Sequence, residues 1–382
     1  MGPLHGLRVL ELGGRGPVRF SGMLLADLGA EVISICRPRP ADDITPSGDV
    51  GIGRGRRRVS LDLRTRAGRR AALAIASRVD AVIEGFLPEV TESLGVGPAD
   101  CMAANPRLVY GRITGWGQTG PLANQPGHDI NFLAVSGVLA HLGRADTVPA
   151  PPMNLLADGG GAMLLTLGVT AAVLEARESG MGQVVDTSML EGHALLSTMS
   201  HEMRNEGRWN DDRGSNLNDS GAPFYDVYPT SDGHLVAVGA VEEKYWKSLL
   251  ALLEIRDDGP DRWDRATWPW WRERLGAVFA QRTQSEWSEH PEAAGACLSP
   301  VLTGTEAADH PHNRERGIFT RAGDDLLPSP APRFSRTTLR PLGTSAWGSD
   351  QTRQVLAELE IDETGILDDP SGGGRNGLEP AQ

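Results

Sequence analysis

Short apolar runs separated by helix-length segments occupy the first half of this chain, and that alternation limits the folds open to it. Leu7-Arg8-Val9-Leu10-Glu11-Leu12 is an apolar run ending in Gly13-Gly14, Ser21 to Gly29 carries Leu24, Leu25 and Leu28 at helical spacing, and Glu31-Val32-Ile33-Ser34-Ile35-Cys36 reads as a second strand. The three segments make a βαβ unit with a parallel strand pair. The same signals continue through Val59–Leu63, a helix over 67–78, Ala81–Phe86, Leu108–Ile113, a helix over 159–177 and Gln183–Asp186. A chain alternating in this way folds as a doubly wound α/β core, with ligands bound at the carboxyl ends of the strands. The glycines after the first run do not complete GxGxxG, because Arg19 stands where the last glycine would fall. No dinucleotide site is expected there.

With 382 residues the chain is long for one core. From about residue 200 its texture changes: 221–240 alternates like a hairpin around Ser231-Asp232-Gly233, and a helix begins near Glu242. Trp263, Trp268, Trp270, Trp271 and Trp287 follow, a density that predicts a small packed core. The reading is a large α/β domain over 1–199, a smaller α+β domain over 200–325, a return segment over 326–368 and a disordered tail over 369–382.

A formal net charge of −13 argues against nucleic acid or an anionic membrane surface as partner, so an anionic ligand requires a local basic pocket. Cys36, Cys101 and Cys297 lie far apart without CxxC spacing, which predicts neither disulfides nor a metal site. No basic segment followed by an apolar one opens the sequence, and the most apolar window, about 162–174, is short for a bilayer span. The expectation is a cytoplasmic protein with no membrane partner.

Two stretches carry groups able to move protons. Gly127-His128-Asp129-Ile130-Asn131-Phe132 places an imidazole beside an apolar run, and Asn154-Leu155-Leu156-Ala157-Asp158-Gly159-Gly160-Gly161 places a carboxylate where a long apolar helix begins. Both groups work near neutral pH when their surroundings tune them. Arg54-Gly55-Arg56-Arg57-Arg58 is the densest positive run, and its closeness in sequence to Arg37 and Arg39 suggests arginines converging on a phosphate-bearing ligand.

With these residues in hand, the sequence resembles the α-methylacyl-CoA racemases of the class III CoA-transferase superfamily. The resemblance rests on Gly2–Leu12, Leu25–Ala30, Thr114-Gly115-Trp116-Gly117-Gln118-Thr119-Gly120-Pro121, the His128 and Asp158 stretches, Gly182–Asp186, Gly221–Tyr225, Val236–Glu242 and Ala331–Arg336. It implies a large Rossmann-like domain, a smaller domain and an interlocked homodimer acting on acyl-CoA thioesters, with no cofactor beyond the CoA of the substrate. It further implies that Arg37, Arg54, Arg57, Leu61, Asp62, Leu63, Gly85, Phe86, Gly127 and Asp129 face the CoA. His128 and Asp158 would be the catalytic bases, and Glu242 of the smaller domain would support the histidine. In the transferase branch the aspartate is a nucleophile and an aromatic residue usually replaces the histidine, so Asp158 attacking an acyl-CoA is the alternative.

Inverting a centre α to a thioester requires removing a proton from one face and returning one to the other. A single base delivers to the face it took from, whereas two bases on opposite sides solve the problem. The enolate formed between these steps needs fixed donors, which the glycine-rich helix start over 158–161 can supply.

Overall fold

The computed structural model describes residues 2–14, 16–38, 51–339 and 351–362. The chain separates into two compact units, Met1–Phe132 with Asn154–His193 and Gly317–Gln382, and Leu133–Met153 with Ala194–Arg316. Residues 369–382, expected to be a disordered tail, lie outside the described residues, as does Arg39 of the basic region.

The first unit runs β1 (Arg8–Glu11), α1 (Pro17–Asp27), β2 (Glu31–Cys36), β3 (Arg56–Ser60), α2 (Arg66–Ala76), β4 (Ala81–Glu84), α3 (Val90–Ser93), α4 (Pro98–Ala104) and β5 (Val109–Thr114). It continues through α5 (Asp129–Val135), α6 (Ala157–Ser179), β6 (Val184–Ser188) and α7 (Met189–Leu196). Its strands form one parallel six-stranded sheet in the order β3-β2-β1-β4-β5-β6. The order reverses between β1 and β4, the switch point outside which ligands of doubly wound sheets bind.

Helices on both faces explain why the strands read as continuous apolar runs rather than as alternation. Val9, Val32, Ile83 and Val109 point to a core shared with Leu165 and Val169 of α6. Their neighbours Leu10, Ile33, Val82 and Tyr110 point to the opposite core, built with Ile75 of α2, Cys101 of α4 and Val355 and Leu356 of the helix Thr352–Glu358. That helix is also tied to β3, where the Ser60 N–H donates to Thr352 Oγ1 at 2.8 Å.

At 23 residues α6 is longer than its apolar periodicity suggested, and it is long and apolar enough by length and composition to cross a membrane. Half of its most apolar window is buried in the protein. Leu165, Val169, Ala172 and Val173 fill the core beside β1, β4 and β5, as in a core helix.

The second unit contains α8 (Thr198–Asn205), the antiparallel strands β7 (Tyr225–Pro229) and β8 (Leu235–Gly239), then α9 (Glu243–Leu252), α10 (Trp268–Phe279), α11 (Gln284–Ser288) and β9 (Leu298–Pro300). Gly233, at φ 79°, takes the left-handed position of the β7–β8 turn. Trp246, Trp268, Trp271 and Trp287 are buried in one core, and the indole N–H groups of the last three donate to the carbonyls of Arg262, Pro260 and Phe279. Trp263 and Trp270 of the tryptophan-rich stretch stand outside it, half exposed.

Candidate functional site at the carboxyl edge of the sheet

The carboxyl edge collects residues from several strand ends. Gly13 and Gly14 follow β1, Arg37 follows β2 and is exposed, Leu61 to Leu63 follow β3, and Gly85 and Phe86 follow β4. The Phe86 ring lies 3.3 Å from where a side chain on Gly13 would begin, so glycine leaves room for that ring across the switch point. Leu61 and Leu63 point into the core, and only Asp62 of the three turns outward. Its carboxylate accepts from Arg64 Nη2 at 2.7 Å and Nε at 2.9 Å, and these bonds hold it below the usual carboxylate range against the cost of burial.

Asp158 lies at the same edge. Its Oδ2 is 3.3 Å from where a side chain on Gly16 would begin, which sets it against the entrance of α1. An aspartate at a helix start is ordinarily an N-cap worth about 1 kcal/mol, but Asp158 does not cap α6. That task falls to Asp129, 3% exposed, whose Oδ1 accepts the Ala157 N–H at 2.7 Å and the Asp158 N–H at 3.0 Å. The carboxylate of Asp158 is left to accept only from Asn154 Nδ2 at 3.2 Å, among the described residues. Burial pushes its pKa up and the Asp129 charge adds to the rise, while the Asn154 amide and the His128 imidazole oppose it. A carboxylate moved toward neutrality in this way is better suited to exchanging a proton.

His128 precedes α5, is exposed, and its own N–H donates to Asn131 Oδ1 at 3.0 Å. Asp129 therefore couples the two candidate bases mechanically: it is the first residue of α5, adjacent to the histidine, and it holds the first turn of α6, which bears the aspartate. The Gly160 N–H bonds back to the Leu156 carbonyl at 2.9 Å. The Gly159 N–H finds no partner among the described residues, which leaves one helix-start donor beside Asp158. Gly127 abuts the Phe132 ring, which would sit 2.6 Å from any side chain placed there, and that ring packs edge-on against Trp116 at 4.8 Å. The loop carrying His128 is thus seated on the buried Phe132 ring and the partly exposed Trp116 that packs against it.

The arginine run is not brought to this edge. In the parallel pairing of β2 with β3, Val32 faces Arg56 and Cys36 faces Ser60. Arg37 therefore lies past the carboxyl end, while Arg54 to Arg57 lie at the amino end, about 16 Å away at roughly 3.3 Å per residue. Closeness in sequence misled here, because a parallel connection must cross the full length of the sheet. Arg54 is buried and donates through Nε to Asp27 at 2.8 Å. Arg57 is shared between Glu31 and Glu358. Arg56 donates to Glu11 at 2.8 Å, with neither side chain more than 2% exposed. Asp129 likewise spends its carboxylate on the α6 amides rather than turning it outward.

Sequence reasoning passed over Glu84, fully buried at the end of β4 beside Gly85. It accepts the Phe86 N–H at 2.7 Å and Arg112 Nε at 3.0 Å, and Arg112 also bonds Glu92 at 2.8 Å. Burial pushes the Glu84 carboxyl up to about 7, with the Phe86 N–H and Arg112 opposing. A charged residue closing the apolar run Ala81-Val82-Ile83 was its only mark in the sequence.

Glu242, in the second unit, is the residue at which α9 starts. It caps through its backbone only, accepting the Tyr245 and Trp246 N–H groups at 3.0 Å, and its side chain is exposed and makes no capping bond. The turn that presents it is held by Arg262, 4% exposed, whose Nη1 donates to the Ala240 and Val241 carbonyls at 3.2 and 2.9 Å. The Arg262 guanidinium lies 4.7 to 5.2 Å from the ring centroids of Trp263, Phe224 and Trp246.

Residues 4–345 match the model of CoA-transferase family III. The alpha-methylacyl-CoA racemase of Mus musculus is 42% identical over 95% of this chain and 95% of its own length, and that of Homo sapiens is 38% identical over 93% of each. A CAIB/BAIF family protein from Brucella suis shares the fold, with a TM-score of 0.80 and 23% identity over 94% of this chain and 99% of that one.

Proposed function

The chain belongs to CoA-transferase family III, and from that premise we propose that it is an acyl-CoA racemase inverting the α-carbon of 2-methyl-branched acyl-CoA thioesters. One of His128 and Asp158 takes the α-proton, the thioester becomes an enolate, and the other residue returns a proton to the opposite face; the roles exchange for the mirror-image substrate. The observation that carries this reading is the state of Asp158. Its carboxylate is freed from helix capping by Asp129, shifted upward by burial, and felt by the His128 imidazole. The Gly159 N–H, without a partner among the described residues, is suited to the enolate oxygen, a kind of contact typically worth about 3 kcal/mol in the transition state. Arg37, Asp62, Gly85, Phe86 and Gly127 are proposed to face the CoA, and Glu242 to support His128. The racemase relatives support the reaction class.

The test is α-deuterium wash-in from heavy water into 2-methylacyl-CoA esters with no acceptor acid present. Racemisation is internal to one thioester, so label should enter and each pure enantiomer should lose its optical purity. If CoA instead moves to an added carboxylic acid, and wash-in requires that acid, Asp158 is acting as a transferase nucleophile and the racemase reading fails.

The proposal includes a homodimer. Its support is the outer face of α6, where Met163, Leu167 and Leu174 fall at helical spacing and are each more than half exposed. Sedimentation at micromolar concentration should give twice the chain mass, and a monomer there would remove this element. A cytoplasmic setting is in keeping with the three free cysteines.

A further inference from the structure

Arg262, in the loop between α9 and α10, is a buried charge lodged among aromatic rings. It is 4% exposed, with Trp263, Phe224 and Trp246 around its guanidinium. Among the described residues the carboxylate within ion-pair reach is that of Glu243 at 3.2 Å, whose side chain is 62% exposed. Withdrawing a guanidinium from water is costly, and ring faces with one exposed carboxylate offset only part of that cost. A methionine would fill the same space without it.

The donors show what the charge does there. Nη1 donates to the Ala240 carbonyl at 3.2 Å and to the Val241 carbonyl at 2.9 Å, and Nη2 donates to Glu243 Oε2 at 3.2 Å. These three acceptors flank Glu242 on both sides. Glu242 has extended backbone, φ −72° and ψ 148°, so the helix it opens does not set the direction of its side chain, and the residues before it do. The other end of the clamp is fastened to α10. The indole N–H of Trp268 donates to the Arg262 carbonyl at 2.8 Å, and that of Trp271 donates to the Pro260 carbonyl at 2.9 Å. From that fixed loop the guanidinium reaches back across 21 and 22 positions of sequence.

We propose that Arg262 is a positioning residue for Glu242: by gripping residues 240, 241 and 243 it sets the turn that presents the carboxylate proposed to support His128. The inference rests on the racemase reading for what Glu242 does, whereas the clamp itself does not depend on it.

The test uses the full-length enzyme with Arg262→Met, which keeps an apolar stem among the rings and removes the donors, and Arg262→Lys, which keeps a cation without the fork. In Arg262→Met the inversion rate at saturation should fall roughly tenfold to a hundredfold, the scale of a small misplacement of reacting groups, with KM within about twofold. Arg262→Lys should recover part of the loss. A double-mutant cycle separates positioning from packing: in a Glu242→Ala background Arg262→Met should cost less than about a further twofold, because the group it positions is gone. Amide hydrogen exchange followed by mass spectrometry supplies a readout that needs no activity. Peptides covering 239–246 should exchange faster in Arg262→Met and return toward wild type in Arg262→Lys. Losses that multiply in the double variant, or unchanged protection over 239–246, overturn the proposal. If Arg262→Met does not fold, Arg262→Lys carries the same cycle: its loss must vanish in the Glu242→Ala background, and an Arg262→Lys enzyme indistinguishable from wild type reduces Arg262 to a cation of the core. If Glu242→Ala inverts at the wild-type rate, the support assigned to Glu242 fails, and if the wild type shows no wash-in at all, the racemase reading fails. In both cases hydrogen exchange alone decides the clamp.

Discussion

His128→Ala should exchange the α-proton of one enantiomer of a 2-methylacyl-CoA far better than that of the other, and Asp158→Ala should show the reverse preference. The two groups are proposed to face opposite sides of the α-carbon, so each pure enantiomer is deprotonated by a different residue. Without His128, Asp158 can still remove a proton from its own face and return a deuteron there, giving exchange without inversion. Inversion needs both groups and should fall by about a hundredfold or more in either variant, the usual scale of a lost general acid–base group. Deuterium incorporation from each pure enantiomer, sampled before equilibrium, separates the two quantities. Equal collapse for both enantiomers in both variants would mean that the residues act as one unit, and the two-base assignment would have to go. Neither variant should unfold the protein, because His128 is exposed and the Asp158 carboxylate makes one hydrogen bond among the described residues.

Arg56→Met should destabilise the first unit by roughly 3–5 kcal/mol, the typical result of removing one partner from a buried ion pair. Glu11 would keep a carboxylate that is 2% exposed and would lose the bonds from Arg56 Nε at 3.0 Å and Nη2 at 2.8 Å, retaining among the described residues that from Ser34 Oγ at 2.9 Å. Adding Glu11→Leu should recover much of the loss, since replacing both partners of such a pair by apolar groups is far less costly than breaking it. Urea unfolding of the two variants checks the pair. A midpoint unchanged in Arg56→Met, with weakened inhibition by free CoA, would return the arginine run to the phosphate-binding role its sequence suggested.

That reversal separates what a linear reading of this chain can reach from what it cannot. The alternation of apolar runs with helical spacing made the β1–α1–β2 unit, the doubly wound class and the β7–β8 hairpin legible, because each depends on the periodicity of neighbouring residues. His128 and Asp158 stood out as candidates by type and by the company of glycines around them. Which group caps α6 was not legible, for Asp129 and the Ala157 amide meet across 28 positions of sequence. Glu84 and Arg262 were invisible as special residues, since burial and long-range hydrogen bonds arise only when distant elements pack. The arginines at 54, 56 and 57 look like a surface charge cluster until the parallel register sets them at and just before the start of β3, where their side chains reach Asp27 at the end of α1, Glu11 at the end of β1 and Glu31 at the start of β2. Strand direction and the pairing of charges across 26 to 45 positions are long-range properties. Local propensity is blind to them, because their free energies exist only once both partners have left water together.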